Sequence, residues 1–232
     1  MRDALDIPPF FLDTLLLMWY NGATEKRKGQ GGDAMDFDLT HTAQLPDGSV
    51  LEYGVVCGSE QIVLIKSGKG GTHRGEGDKY LQMARRLHRC SGCSVICSSN
   101  PAESAPSFEV DRCFIEDYVT RMGWSHFSLS LIGSSNGAYQ NLCLAQRVEQ
   151  TEKLLCINMP LMVNFHRTAA MLRSMDAIEK ILVYGTRDPS IAYLSFVERW
   201  SLPQCRVLRA EGADHTFTGQ ADRFVALADL IG

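Results

Sequence analysis

The 232-residue chain is 45% hydrophobic and 22% charged, an ordinary composition for a globular protein, and its length favours one α/β domain over two small ones. A formal net charge of −4 gives no electrostatic case for binding nucleic acid or an acidic membrane surface. No apolar run approaches the roughly 18 residues that a membrane span requires. We therefore expect no nucleic-acid partner and no membrane span.

Eight cysteines raise the question of a disulfide-rich or metal-binding protein. Several fall inside predicted strands or helices, where a free thiol behaves as a small buried hydrophobe. Acidic residues in and before the apolar stretch near the N-terminus argue against a secretory signal, so we expect a reducing, cytoplasmic location. Cys90-Ser-Gly-Cys93 has no second Cys or His pair at zinc spacing. We expect this pair to be structural, with neither a metal nor another cofactor bound.

The first predicted element is a short helix over 8–20, with prolines in its first turn and Asn21-Gly22 at its end. Its apolar residues cover more than one face. The helix is therefore expected to pack against the body, to form a partial lid or to mediate a homodimer. Residues 23–34 are rich in glycine and basic residues, which predicts a mobile linker. We divide the chain into an N-terminal helix with its linker (1–34) and a main domain (35–232).

Strand and helix patterns alternate through the main domain. It opens with two apolar alternations, 36–44 and 50–57, joined by Leu-Pro-Asp-Gly-Ser, a turn sequence that predicts a hairpin. Strands are then predicted at 61–66, 94–98, 125–132, 153–159, 180–184 and 206–209. Helices are predicted at 77–89, 110–122, 138–149, 166–179, 190–200 and 216–231. This order predicts an α/β fold: a mostly parallel central sheet with an antiparallel N-terminal hairpin and helices on both faces.

A Gly-x-Ser-x-Gly sequence, residues 133–137, lies between a strand pattern and a helix pattern. A serine that stands exposed in such a tight turn needs a strained backbone, so the residues two before and two after it must be very small. Gly133 and Gly137 meet that demand. The stretch is therefore interpreted as a nucleophile elbow with Ser135 as the nucleophile, and a surface Gly/Ser turn is the alternative.

A serine nucleophile needs a base, and the base needs a group that orients it. In a parallel sheet these groups should follow the carboxyl ends of strands. His215 lies between the last predicted strand and the last predicted helix, and Asp188 emerges after the strand at 180–184. Asp188 could also cap the helix that Pro189 begins. Asp214 is a weaker candidate because it is the direct neighbour of His215.

Acyl transfer also needs hydrogen-bond donors for the developing oxyanion. The backbone N–H of Asn136, which follows the nucleophile, is one expected donor. The glycine-rich loop 67–71 should supply the second, through the N–H of Lys69 or otherwise of Gly68 or Gly70. The loop lacks the spacing of a phosphate-binding P-loop, so we do not expect it to hold a nucleotide.

Together these features resemble the α/β-hydrolase superfamily over residues 36–232, in the order Ser135, Asp188, His215. The loop 67–71 resembles that family's oxyanion loop, with Ser67 where histidine is usual. Few residues separate the strand at 153–159 from the strand at 180–184. The resemblance therefore implies the α/β-hydrolase fold without a cap domain, and a Ser-His-Asp triad.

The resemblance and the triad pattern favour a serine hydrolase that cleaves an ester or thioester of a small or medium acyl substrate through an acyl-enzyme. Two alternatives stay open: an acyltransferase or amide or peptide hydrolase with the same triad, or a non-catalytic ligand-binding protein on the same scaffold.

Basic residues in the loops around the expected site bear on the substrate, and they are Lys66, Lys69, His73, Arg74 and Arg187. Candidate substrate-binding residues are Gly68, Gly70, Arg74 and Arg187. A basic rim would favour a substrate with a carboxylate or phosphate, whereas Glu76 and Asp78 would balance an ordinary solvated rim.

Overall fold

The computed structural model describes residues 36–45, 47–103 and 106–232. Eight strands form one sheet in the order β1-β2-β4-β3-β5-β6-β7-β8. The strands are β1 (Leu39–Gln44), β2 (Val50–Val56), β3 (Ser59–Lys66), β4 (Cys93–Ser98), β5 (Ser128–Ser134), β6 (Thr151–Ile157), β7 (Glu179–Gly185) and β8 (Cys205–Ala210).

The first two strands form the predicted hairpin. β1 pairs with β2 in antiparallel register, and β2 is also antiparallel to β4, whereas all the remaining strand pairs are parallel. The hairpin turn is closed by the N–H of Leu45, which donates to the carbonyl of Ser49 at 2.8 Å. The predicted fold class, a mostly parallel sheet with an antiparallel hairpin, is confirmed.

Helices cover both faces of the sheet and bury two separate apolar cores. They are α1 (Lys79–Ser91), α2 (Phe108–Met122), α3 (Asn136–Ala145), α4 (Phe165–Ser174), α5 (Leu194–Arg199) and α6 (Ala221–Ala226). Successive side chains of a strand point to opposite faces. In β5, Leu131 accordingly packs into the core under α2 to α5, while Ile132 packs into the core under α1 and α6. The connection from β6 to β7 contains only α4 among helices, as the resemblance implied.

Four predicted helices are shorter than the sequence pattern indicated, and the one predicted at 138–149 ends at Ala145. The helix predicted at 166–179 ends at Ser174, and the buried ammonium of Lys180 then binds the carbonyls of Met175 and Ile178. The segment predicted as helix 190–200 begins as a 3₁₀ turn, Pro189–Tyr193, before α5.

The closing helix shows the largest difference. It was predicted at 216–231, but α6 begins only at Ala221 and is followed by a 3₁₀ turn, Leu227–Leu230. Phe217 and Gly219 have positive φ angles of 59° and 68°, which no α-helix allows. The carboxylate of Asp214 stabilises this turn by accepting the N–H groups of Thr216 and Thr218 at 3.1 and 2.9 Å.

The predicted N-terminal helix over 8–20, its linker and the homodimer contact or lid assigned to it lie outside the described residues. The division into 1–34 and 35–232 therefore stays a prediction. Within the residues that the structure describes, every helix is too short or too polar to cross a bilayer.

Candidate active site

The turn between β5 and α3 holds Ser135 in a strained conformation. Its φ of 54° and ψ of −125° lie outside the regions that a serine ordinarily occupies. A Cβ at Gly133 would overlap the backbone of Ala138, and one at Gly137 would overlap the carbonyl oxygens of Lys66 and Ser67. The two glycines are therefore required by the close packing of the turn, and they leave Ser135 partly exposed at the carboxyl end of β5.

The structure brings Ser135, His215 and Asp188 together from three loops. Nε2 of His215 lies 2.8 Å from Oγ of Ser135, and Nδ1 of the same ring contacts Oδ2 of Asp188. Because an ionised carboxylate only accepts, Nδ1 carries the ring proton, and Nε2 is left to accept the serine hydroxyl. The hydrogen bond to Asp188 raises the pKa of His215 above its ordinary value, and partial burial opposes this shift.

Asp188 is 1% exposed and uses its two oxygens for different partners. Oδ1 accepts the N–H of Ser190 at 2.7 Å and so caps the 3₁₀ turn that follows, while Oδ2 binds His215. The capping role and the orienting role are therefore both present in one side chain. Asp214, the alternative carboxylate, binds the turn at 216–218 instead of the imidazole.

Asn158, which the sequence did not single out, links the loop of His215 to the end of β7, just before Asp188. Its amide group donates to the carbonyls of Asp214 and His215 at 3.0 and 2.9 Å. Its side-chain oxygen accepts the N–H of Gly185 at 2.8 Å, at the end of β7. The residue is fully buried and has a φ of 48°, a conformation that asparagine tolerates better than most residues.

The glycine-rich loop after β3 lies against the nucleophile. A Cβ on Gly68 would stand 3.3 Å from the Cβ of Ser135, so the two backbones are in close approach. The N–H of Gly70 donates to the carbonyl of Asn100 at 2.7 Å, and that of Gly71 donates to the carbonyl of Gly68 at 2.9 Å. Among the described residues, the N–H groups of Lys69 and Asn136 have no acceptor, and these are the two expected oxyanion donors.

Lys66 does not belong to the rim, contrary to the sequence-based expectation. Its side chain is fully buried, and its ammonium lies 2.9 Å from Oδ2 of Asp111. The same ammonium donates to Ser98 Oγ at 2.9 Å, to the carbonyl of Ser99 at 2.8 Å and to Ser107 Oγ at 2.8 Å. A buried ammonium requires such a set of acceptors, because an unpaired charge is costly away from water.

A chain of buried amides continues from this ion pair to the elbow. The side-chain oxygen of Gln140 accepts the N–H and the hydroxyl of Ser107, at 2.8 and 3.0 Å. Its amide nitrogen donates to Asn100 and Asn136 at 2.9 and 3.0 Å, and Asn100 donates to the carbonyl of Ser67 at 3.1 Å. The network therefore connects α3 with the loop beside Ser135.

A pocket of about 190 Å³ opens beside Lys69 and Asn136. Its polar lining comes from Lys69, Asn100, Asn136, Gln140 and Arg167. Its remaining wall is largely apolar and consists of Pro101, Pro106, Phe108, Tyr139 and Cys143. Asn136 follows Ser135 in the chain, and Lys69 follows Gly68, which is in close approach to Ser135. A group bound in this pocket would therefore lie near Ser135.

The other predicted rim residues have different surroundings. Arg74 is held by Asp36 and Asp78, at 2.8 and 2.7 Å, so its charge is compensated within the protein. The ring of His73 lies 3.2 Å from Glu52. Arg187 is exposed, and its backbone N–H donates to the carbonyl of Ala213 at 2.9 Å. Substrate binding by Gly68, Gly70, Arg74 and Arg187 stays a prediction, and Arg167, which lines the pocket, was missed.

All eight cysteines are free thiols. Cys90 is exposed and Cys93 is buried, and burial raises the pKa of the Cys93 thiol. Neither thiol contacts the triad.

No protein-family model and no curated protein matches the sequence. The fold matches an alpha-beta serine hydrolase homologue from Coxiella burnetii with a TM-score of 0.62 and 20% identity, over 83% of this chain and 96% of that one. It matches Est1E from Butyrivibrio proteoclasticus with a TM-score of 0.63 and 10% identity, over 90% and 97%. It matches a dienelactone hydrolase from Anabaena variabilis with a TM-score of 0.60 and 16% identity, over 90% and 95%. The chain therefore has the α/β-hydrolase fold.

Proposed function

We propose that this protein is a serine hydrolase that cleaves an ester or thioester of a small acyl substrate. The observation that carries the proposal is the position of the His215 imidazole, with Nε2 2.8 Å from Ser135 Oγ and Nδ1 bound to the buried carboxylate of Asp188. Hydrogen bonds in this order give a serine both a base and a group that orients the base.

In the first half-reaction, Oγ of Ser135 attacks the substrate carbonyl carbon while its proton moves to Nε2 of His215. The tetrahedral intermediate then collapses: the bond to the leaving oxygen or sulfur breaks, and Nε2 gives its proton to that atom. Asp188 stabilises the imidazolium during this step without taking its proton. The product is an acyl group bonded to Ser135, together with a free alcohol or thiol.

Water completes the cycle by the same route. His215 takes a proton from the water as its oxygen attacks the acyl carbon, and returns that proton to Oγ as the bond to Ser135 breaks. In this proposal the two unengaged N–H groups, those of Lys69 and Asn136, bind the oxyanion in both half-reactions. Removing one such donor typically costs about 10²–10³ in turnover.

The fold neighbours support this proposal by what their names state. One is an esterase domain from a Rhodothermus marinus protein, and another is a dienelactone hydrolase. These activities belong to those proteins, which share only 13% and 16% sequence identity with this chain. They show which class of reaction the same scaffold can support.

A fluorophosphonate probe and a panel of esters and thioesters test the proposal. The wild type should be labelled at Ser135 and should release acid from at least one short ester. Ser135→Ala should lose labelling and should lose turnover by about 10⁴–10⁶. The matched control is Ser134→Ala, which removes the neighbouring hydroxyl and should keep both.

If the folded wild type is not labelled, the hydrolase proposal fails and the alternative of a non-catalytic binding protein on a hydrolase scaffold is favoured. Product analysis with added alcohol separates hydrolysis from acyl transfer, because a transferase would form a new ester in place of the free acid.

A further inference from the structure

The pocket beside the nucleophile carries uncompensated positive charge. Lys69 and Arg167 line it, and its described lining contains no aspartate or glutamate. Within the described part of the chain neither cation forms an ion pair, unlike Arg74, which binds two carboxylates. The chain as a whole has a formal net charge of −4, so the charge of this pair of cations is opposite in sign to the net charge of the protein.

Arg167 is exposed, and its charge reaches two residues of the pocket wall. Arg167 lies in the first turn of α4, across the pocket from α3. Burial raises the pKa values of Tyr139 and Cys143, two residues of the pocket wall, and the positive charge of Arg167 opposes both shifts. The guanidinium is therefore close enough to interact electrostatically with a group bound there.

The pocket should hold the acyl part of the substrate and not the leaving group. In the proposed reaction His215 must reach the leaving atom to protonate it, so the leaving group lies on the side of the imidazole. Neither Ser135 nor His215 lines the pocket, whereas Lys69 and Asn136, the two expected oxyanion donors, do. The acyl chain therefore extends from the carbonyl carbon into the pocket.

The dimensions and lining of the pocket restrict that chain. A volume of about 190 Å³ lies below the range of roughly 300–1,000 Å³ that accommodates drug-sized ligands. Proline and aromatic side chains of the wall suit a short run of methylene groups. At the end of such a run, an arginine fork and a lysine ammonium match a carboxylate.

We infer that the proposed hydrolase acts on esters or thioesters of short dicarboxylic acids, with Lys69 and Arg167 binding the free carboxylate of the acyl chain. This inference rests on the proposed function. The cations in this inference differ from the basic rim expected from the sequence. Lys66 is buried and Arg74 is paired with two carboxylates, so neither is available to a substrate, whereas Arg167 lines the pocket.

The test compares two esters of equal acyl length, monomethyl glutarate and methyl pentanoate, with the released acid quantified by chromatography. We expect the wild type to prefer the anionic ester by about tenfold or more in kcat/KM, and added salt to reduce this preference. Lys69→Met, which keeps the backbone N–H, and Arg167→Gln should each lower the preference, and the double variant should bring it close to one. Arg173→Gln removes a cation from the same helix outside the pocket and should keep it.

Taking the ratio of two substrates cancels any general loss of activity in a variant. Equal kcat/KM for the two esters in the wild type, or a preference that survives in the double variant, overturns the inference while the proposed function stands. If neither ester is turned over, we measure how strongly each ester slows the labelling of Ser135 by the fluorophosphonate. Stronger protection by monomethyl glutarate than by methyl pentanoate supports the inference, and equal protection overturns it. A folded protein without labelling or hydrolysis removes the proposed function and this inference with it.

Discussion

The ammonium of Lys66 lies 2.9 Å from the carboxylate of Asp111, and both side chains are excluded from solvent. Lys66 is the last residue of β3, immediately before the loop that borders the nucleophile, and Asp111 lies in the first turn of α2. The ion pair therefore joins the start of the loop 67–71 to α2, whose Phe108 lines the pocket.

Removing one partner of this pair should destabilise the protein strongly. Lys66→Met leaves the buried carboxylate of Asp111 without its cation, which typically costs about 3–5 kcal/mol. The double variant Lys66→Met with Asp111→Leu should recover much of that loss, because an apolar pair leaves no buried charge. Urea unfolding of the three proteins measures both effects.

Lys69→Met serves as the control for the Lys66 experiment. It removes an exposed ammonium from the same part of the chain and should change the free energy of unfolding by less than about 0.5 kcal/mol. A Lys66→Met protein as stable as the wild type would show that the pair contributes nothing to the fold.

The pH dependence of catalysis should follow the proton on His215. Only the neutral imidazole can act as a base, and the hydrogen bond to Asp188 raises the pKa of His215 above 6.5. kcat/KM should therefore rise with pH through a midpoint above 6.5. In Asp188→Asn this midpoint should shift to lower pH and turnover should fall by about 10⁴. If kcat/KM falls at low pH with the same midpoint in the wild type and in Asp188→Asn, Asp188 has no part in the mechanism.

The same shift predicts an opposite trend for stability. Because the folded-state pKa of His215 is raised, the charged pair with Asp188 stabilises the fold fully below the unfolded-state pKa. That contribution is lost as the pH rises through the folded-state pKa. The wild type should therefore exceed His215→Gln in unfolding free energy by more at pH near 5.5 than near 8.5. If the difference in unfolding free energy between the two proteins is the same at both pH values, the His215–Asp188 pair does not stabilise the fold in the way proposed.

Local patterns carried most of what the sequence could predict. The elbow is local, since Gly133, Ser135 and Gly137 lie within five residues, and the carboxyl ends of parallel strands bring His215 and Asp188 to the same edge. The pairing of Lys66 with Asp111 could not be predicted, because nothing near either residue marks the other. A lysine as the last residue of an apolar strand was the only signal of burial.

The beginning of the closing helix was mispredicted for a different reason. Apolar spacing from 216 to 231 is compatible with a helix, but the structure has a positive φ at Phe217, which no sequence rule assigns to phenylalanine. Gly219 was the available signal for a break. The turn at 214–218 contains His215, and the hydrogen bonds from Thr216 and Thr218 to the carboxylate of Asp214 help to fix this loop.

Asn158 should act as a positioning residue for His215. Asn158→Gly keeps a residue that tolerates positive φ but removes the three hydrogen bonds by which the Asn158 side chain links Gly185 to the loop of His215. A misplaced catalytic group can cost on the order of 10² in rate, so kcat should fall while KM changes little. Labelling of Ser135 by the fluorophosphonate should slow in proportion. Unchanged kcat would show that the loops hold their positions without this side chain.

The steric requirement at the elbow can be separated from the conformational freedom of glycine. Gly137→Ala places a methyl group against the carbonyl oxygens of Lys66 and Ser67, which are backbone atoms and cannot move aside cheaply. We expect a loss of about 3 kcal/mol or more in the free energy of unfolding, together with loss of Ser135 labelling. Gly123→Ala is the matched control: Gly123 has a φ of 70° and open space around it, so alanine there should cost only about 1–2 kcal/mol. The two variants could instead lose equal free energy of unfolding and both keep Ser135 labelling. That result would mean that the contact of Gly137 with the backbone of Lys66 and Ser67 does not set the position of Ser135.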